Sequence, residues 1–384
     1  MHIGRNREAR RAYGFDEIAL VPGLATVDPS EVDLRFALGN LTFDLPVLAA
    51  AMDGTVSVAT AIELSRLGAL PVLNLEGLNA RYANPAEAIE RIVNAEVIAA
   101  ITTIQEVYRA PIQPELMALR IGEVKANGAR LAVSLTPGGA AKYGKLAAQA
   151  GADLIVIQAT VTTVRHHSTR LTPFDLATFC GSVSVPVIIG NVVTYPAALE
   201  LMQAGAFALL VGVGPGAHCT TRRVLGIGVP QATAIADVAA ARDDHERATG
   251  QRVSIIADGG MSNGGDVAKA IACGADGVML GTALAAAAEA PGRGFIWGMA
   301  TPDLNLPRGT RIAVGTQATL REILLGPAKK DDGTHNLMGA LRNAIGCCGG
   351  HNVRDLQRAE IVIAPALQTE GKRLQREQRV GMGQ

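Results

Sequence analysis

Residues 254–282 read SIIADGGMSNGGDVAKAIACGADGVMLGT. Ser254, Ile255, Ile256 and Ala257 form a short apolar run that closes on Asp258-Gly259-Gly260. About twenty residues on, a second run, Val278-Met279-Leu280, closes on Gly281-Thr282. Between them, residues 265–273 have helical spacing and length. This is a strand, a helix and a second strand, with both strands ending in small residues. Hydrophobicity is continuous along each strand rather than alternating, as a parallel sheet covered on both faces requires. Two consecutive strands ending this way match the phosphate site after the last two strands of a (β/α)8 barrel. Backbone amides with no side chain in the way can cradle a phosphate, and Asp258 is placed to accept ribose hydroxyls.

Working outward, the same unit recurs. Runs at 46–50, 70–74, 131–135, 154–158, 186–190, 208–213, 254–258 and 277–281 predict eight buried strands, and intervening segments such as 195–204 are helical. Residues 97–102 could be a ninth strand, but helical flanks make them helix. Eight such units predict an α/β fold, a (β/α)8 TIM barrel forming a single domain over residues 1–384. Two stretches exceed ordinary connections: 214–252, an active-site loop with an adjoining segment, and 291–350, a flap. Both leave the C-terminal ends of strands, the catalytic face of such a barrel. Residues 372–384 read as a polar, mobile tail.

Composition narrows the function classes. Lys and Arg number 35 against 35 Asp and Glu, with no basic block, which argues against a nucleic-acid surface. The 43 glycines in 384 residues exceed the usual share of about 7%, which suits loops that approach a ligand through backbone. Five cysteines without a C-x-x-C pair indicate neither a disulfide framework nor a zinc site. No run reaches a membrane-spanning length, and no apolar region follows the charged N-terminus, so the expectation is a cytoplasmic chain without a membrane partner.

The reactive candidate lies in Gly212-Val213-Gly214-Pro215-Gly216-Ala217-His218-Cys219-Thr220-Thr221. Three alternating glycines permit positive φ and close ligand approach, and they deliver Cys219 to the barrel mouth. A thiolate is a good nucleophile, and loop N–H groups favour it; the alternative is an inert, small hydrophobe. His218 is Cys219's neighbour in sequence, and neighbours rarely face one another, so a loop or subunit-contact role is expected. His166-His167 lack metal spacing and read as a loop pair. Cys347-Cys348 read as free thiols.

Together with Gly190-Asn191-Val192-Val193-Thr194, Val229-Pro230-Gln231-Ala232-Thr233-Ala234, Phe15-Asp16-Glu17 and Ala51-Met52-Asp53, these motifs resemble the IMP dehydrogenase/GMP reductase family over most of the chain. The resemblance implies a barrel acting on a purine nucleoside monophosphate, usually as a homotetramer. Cys219 is similar to the thiol that attacks C2 of the purine, and Thr221 matches the family's catalytic threonine. Asn191 and Asp258 fall where ribose hydroxyls are held. Gly216, Ala217, Gly260, Gly281 and Thr282 fall on the phosphate side, and Ala50, Met52, Gly298 and Met299 around the base. Gln158, Ala159, Gly212 and Gly214 fall on the side of an NAD cofactor. The carbonyls of Gly214, Gly216 and Cys219 match those that bind a monovalent cation such as K⁺. The implied activity is NAD-dependent oxidation of IMP to XMP through a cysteine thioimidate, a step in guanine nucleotide synthesis.

Four departures bear on this. No regulatory CBS pair interrupts the chain. Ala217 replaces the usual Ser, removing one phosphate hydrogen bond worth roughly 1 kcal/mol. Gln158-Ala159-Thr160 stands where the dehydrogenases carry an Asp followed by serines. The Arg-Tyr pair of the dehydrogenase flap is absent from 301–315, leaving Arg308 as candidate water activator, a role that requires a special environment because arginine holds its proton so tightly. GMP reductase therefore stays the alternative activity. A flavin-binding barrel and a catalytically inactive nucleotide-binding relative are the alternatives from other classes.

Overall fold

The computed structural model describes residues 1–170, 173–365 and 370–383. Eight parallel strands close into a barrel in chain order: Val47–Ala49, Leu70–Asn74, Ala132–Leu135, Leu154–Gln158, Val187–Val192, Ala208–Val211, Ser254–Asp258 and Gly277–Leu280. Closure runs through the last and first strands, with Val278 opposite Val47 and Leu280 opposite Ala49. The alternation of side chains along each strand explains the continuous apolar runs. Leu48, Leu70, Val72, Leu154, Val156, Ile188, Leu210, Ile256 and Met279 fill the barrel interior. Their neighbours, among them Val47, Leu73, Val133, Ile155, Ile189, Leu209, Ile255 and Val278, pack outward against helices. Both faces are dry, so neither can be polar.

Each strand is followed by a helix of the outer ring: Val58–Arg66, Pro114–Ala126, Pro137–Gln149, Leu176–Ser182, Tyr195–Gln203, Gln231–Thr249, Gly264–Ala272 and Leu337–Cys347. Their starts carry the expected caps, with Ser57, Thr136, Asp175, Asn263 and Asn336 accepting from backbone N–H groups two or three residues into the helix. The ribbon Phe36–Leu38 with Leu41–Phe43 packs its Phe36 and Phe43 side chains against the interior cluster at the end where the strands begin. The barrel is thereby plugged at one end and open at the C-terminal end of its strands.

Three expectations change. The 214–252 segment is mostly helix, in Thr221–Leu225 and in Gln231–Thr249, the sixth helix of the ring; 212–220 forms the cysteine loop and 226–230 a short connection. Within 291–350, Leu337–Cys347 is the eighth ring helix. It approaches Gly264–Ala272 so closely that a Cβ on Gly264 would lie 2.3 Å from the Ala340 Cβ. The flap is the preceding stretch, organised by the two-residue pairing of Phe295–Ile296 with Ile312–Ala313. The polar tail holds a short helix, Arg373–Gln378. As expected, 97–102 is helical, in Val97–Ala99 and Ala100–Val107.

Between the second strand and its ring helix, Pro85–Asn94 and Ala100–Val107 form an inserted helical hairpin. Its apolar face, with Ile89, Ile92, Ile104 and Val107, packs on Trp297 of the flap. Arg311 of the flap donates to the carbonyls of Ile92 and Val93, and the Gln105 amide donates to the Asp303 carbonyl at 2.9 Å. The flap is thus sandwiched between hairpin and barrel mouth.

Candidate active site

The open end of the barrel holds a cavity of about 380 Å³. Of the residues expected in the site, Ala50, Met52, Gln158, Ala159, Asn191, Gly212, Gly214, Gly216, Cys219, Thr221, Asp258, Gly260, Gly281, Thr282, Gly298, Met299 and Arg308 all line it. Ala217 does not; it is exposed on the outer side of the loop.

The cysteine loop owes its path to Gly212 and Gly214, at φ +152° and +71°. A Cβ on Gly212 would lie 2.3 Å from the Asp258 carbonyl oxygen, so only glycine allows the sixth and seventh strands to end this close. Gly216 does not need a left-handed backbone. The Arg222 guanidinium staples the loop by donating to the carbonyls of Val213 and Val229 at 3.0 and 2.9 Å. The Cys219 thiol donates to Thr221 Oγ1 at 3.2 Å, and Thr221 itself is buried.

The flap is hydrogen-bonded onto this loop. Cys219 and Gly309 form an antiparallel bridge, Thr220 N–H donates to the Arg308 carbonyl at 3.2 Å, and Thr310 N–H donates to the His218 carbonyl at 3.1 Å. Arg308 Nη1 donates to Thr160 Oγ1 at 2.9 Å, which ties the flap to the end of the fourth strand. The flap's own root is fixed from below. Tyr108 donates to Asp53 Oδ2 at 2.6 Å and accepts from Trp297 Nε1 at 3.0 Å. Asp53 also accepts from Leu78 N–H at 3.0 Å and from the amides of Asn74 and Asn79. Burial pushes its carboxyl upward, against the pull of these donors and of Arg81.

Three side chains from three strand ends form a closed polar triangle. Asn191 Nδ2 donates to Asp258 Oδ2 at 2.7 Å, Gln158 Nε2 donates to the same oxygen at 3.0 Å, and Gln158 Nε2 also reaches Asn191 Oδ1 at 3.1 Å. Burial pushes the Asp258 carboxyl up to about 6, while the two amides hold it down. The carboxylate oxygen not engaged by these amides, Oδ1, has no side-chain donor of its own and suits a ribose hydroxyl. Beyond Asp258, Gly259 and Gly260 are left-handed, at φ +78° and +80°, and Thr282 opens a single helical turn. Backbone rather than side chain faces the cavity there, which fits a phosphate.

Several contributors were not foreseen. His218 lies in the loop, as expected, and also lines the cavity; burial pushes its imidazole down to about 4, so it is neutral at ordinary pH, and Nδ1 is buried without a partner among the described residues. Asn74, at the end of the second strand, donates to Met299 Sδ at 2.8 Å and ties the flap to that strand end. Thr160 holds Arg308. Gln231 is buried and bridges the carbonyls of Val211, Asp258 and Gly259, locking the strand ends that carry the loop and the cradle. Its place in the Val-Pro-Gln motif was the available signal. His166 and His167 are exposed in a loop, and all five cysteines are free, as expected. No helix among the described residues is long and apolar enough to cross a membrane.

Comparison with known proteins agrees with this geometry. Residues 12–301 match the IMP dehydrogenase / GMP reductase domain. An uncharacterized oxidoreductase of Mycolicibacterium smegmatis is 39% identical over 372 residues, covering 94% of this chain and 99% of the relative. An inosine-5'-monophosphate dehydrogenase of Borreliella burgdorferi is 31% identical, over 76% of this chain and 74% of that protein. The crystal structure of an IMP dehydrogenase/GMP reductase-like protein from Corynebacterium glutamicum superposes with a TM-score of 0.90 at 39% identity, covering 94% of this chain and 97% of that one. With Cys219, the buried Asp258 and the glycine-rich strand ends gathered in one barrel mouth, this chain belongs to the IMP dehydrogenase/GMP reductase family of oxidoreductases.

Proposed function

We propose that the protein is an NAD-dependent IMP dehydrogenase, converting IMP to XMP, and that it works as a homotetramer. The observation that carries this reading is the convergence in one cavity of Cys219, the Asp258–Asn191–Gln158 triangle and the Gly259–Gly260 and Gly281–Thr282 cradle. The 5'-phosphate sits on the cradle, the ribose hydroxyls on Asp258 and Asn191, and the base between Met52, Gly298 and Met299. This orientation brings C2 of the purine to Cys219.

Cys219 Sγ bonds to C2 as the thiol proton passes to solvent, and C2 gives up its hydride, leaving a thioimidate of XMP on the enzyme. Gln158, Ala159, Gly212 and Gly214 would hold NAD⁺, which when bound would supply the hydride acceptor. A water then adds to C2, the C2–S bond breaks, and XMP leaves with the thiol restored. Splitting one difficult substitution into two steps is the gain from covalent catalysis. Thr221 receives the thiol's hydrogen bond in the resting state. The flap, pinned at Arg308–Thr310, keeps bulk water from the thioimidate, and Arg308 is placed to orient the attacking water. The carbonyls of Gly214, Gly216 and Cys219 would be the oxygen ligands of a weakly hydrated monovalent cation.

The test is spectrophotometric. With IMP and NAD⁺, absorbance at 340 nm rises in the wild type and not in Cys219→Ser. Consumption of NADPH with GMP, and no NADH from IMP, would make the protein a GMP reductase instead.

A further inference from the structure

A second cavity, also of about 380 Å³, opens between the flap and the inserted hairpin. It shares Met299, Ala300 and Arg308 with the substrate cavity, so the flap forms a common wall between the two. Its remaining wall includes Arg81, Tyr108 and Arg109, all at or beyond the hairpin's two ends.

Its charge is unusual for a chain with equal numbers of acids and bases. Three arginines line it, and among the described residues none of them has a carboxylate in ion-pair contact, whereas Arg10, Arg35, Arg120, Arg242 and Arg252 elsewhere do. Two of the three are held in place by neutral partners. Arg81 donates to the carbonyls of Glu76 and Ala110 and lies 5.8 Å from the centre of the Tyr108 ring. Arg308 is fixed by Thr160. Arg109 is exposed, and among the described residues its guanidinium makes no hydrogen bond or ion pair. The single carboxylate in the wall, Asp303, turns Oδ1 to the N–H groups of Asn305 and Leu306, which hold it in its ionised range together with Arg308. Three arginines against one internally engaged carboxylate leave a positive, ligand-sized cavity. Fixed guanidinium forks match phosphate oxygens in geometry and charge.

We infer that this second cavity, walled by Arg81, Arg109 and Arg308, binds a diphosphate group. The inference rests on the proposed dehydrogenase reading for its link to turnover, but not for the binding itself. Two sources share the chemistry. One is the diphosphate bridge of the dinucleotide, reaching across Met299 from the substrate cavity. The other is a separate nucleoside diphosphate, whose phosphates would act on the flap through Arg308.

The probe is ADP, titrated by calorimetry into the full-length protein with the substrate cavity saturated by IMP. Arg109→Glu is the variant of choice, because Arg109 is exposed, makes no side-chain hydrogen bond or ion pair among the described residues and does not line the substrate cavity, and circular dichroism checks its fold. ADP binds the wild type, and Arg109→Glu weakens it at least tenfold. No ADP binding, or binding unchanged in Arg109→Glu, overturns the inference whether or not the protein oxidises IMP. Kinetics then separate the sources. If the bridge is the occupant, Arg109→Glu raises KM for NAD⁺ about tenfold and leaves KM for nicotinamide mononucleotide, which lacks the bridge, unchanged. If a separate nucleotide is the occupant, both KM values stay put and ADP alters the wild-type rate but not that of the variant.

Discussion

Asp258→Asn should stabilise the fold while it weakens substrate binding. The Asp258 carboxyl ionises at about 6 in the folded chain against an ordinary 3.8, because burial opposes its charge more than Asn191 and Gln158 favour it. A shift of this size corresponds to about 3 kcal/mol at 1.36 kcal/mol per unit, and water reaching the carboxyl from the cavity reduces it to about 1–2 kcal/mol. The sign follows from proton uptake. The folded state holds the proton more tightly than the unfolded one, so the wild type is relatively favoured below about pH 4. That advantage is lost as pH rises through about 6, and the full penalty is present above it. Asparagine keeps one carbonyl oxygen to accept both amides and has no charge to desolvate. Urea unfolding of wild type and Asp258→Asn at pH 4 and pH 8 measures this. The variant's stability relative to wild type should improve by about 1–2 kcal/mol between the two, while its affinity for IMP at pH 8 falls at least tenfold as the charged acceptor of the ribose hydroxyls is lost. A stability difference that does not change with pH would refute the reasoning.

Two other substitutions probe the flap. Tyr108→Phe removes the hydroxyl shared by Asp53 and Trp297 in a buried cluster, and should cost about 1–3 kcal/mol in urea unfolding; a cost below 0.5 kcal/mol would mean that this network does not hold the flap root. Gly298→Ala places a Cβ 2.5 Å from His218 Nε2, so the imidazole must leave its seat beside Cys219. Turnover should fall at least tenfold with little change in unfolding midpoint, and full activity would show that the His218 position is immaterial.

The barrel was legible because its strands are buried on both faces, which gives eight unbroken apolar runs with small residues at their ends. The cavity wall was legible for a related reason: Gly212, Asp258 and Gly281 stand at strand ends, where a barrel exposes its backbone. The division of 291–350 was not. Leu337–Cys347 contains Gly339 and Gly346 and becomes a ring helix through its packing on Gly264–Ala272, a contact that local pattern does not encode. Likewise, Gln231–Thr249 is rich in alanine and charge, with no sharp apolar stripe to mark it as the sixth ring helix. The place of His218 in the cavity was not legible because its seat depends on Gly298, some eighty residues away. The inserted hairpin's role was hidden for the same reason, since Gln105 meets Asp303 and Arg311 meets Ile92 only in the folded chain.

The central claim is that Cys219 carries the purine covalently during oxidation of IMP. Mass spectrometry of protein quenched during turnover with IMP and NAD⁺ addresses it directly. A nucleotide adduct should appear on the peptide containing Cys219, absent when NAD⁺ is omitted and absent in Cys219→Ser. NADH production by protein whose Cys219 stays unmodified, or by Cys219→Ser itself, would contradict it.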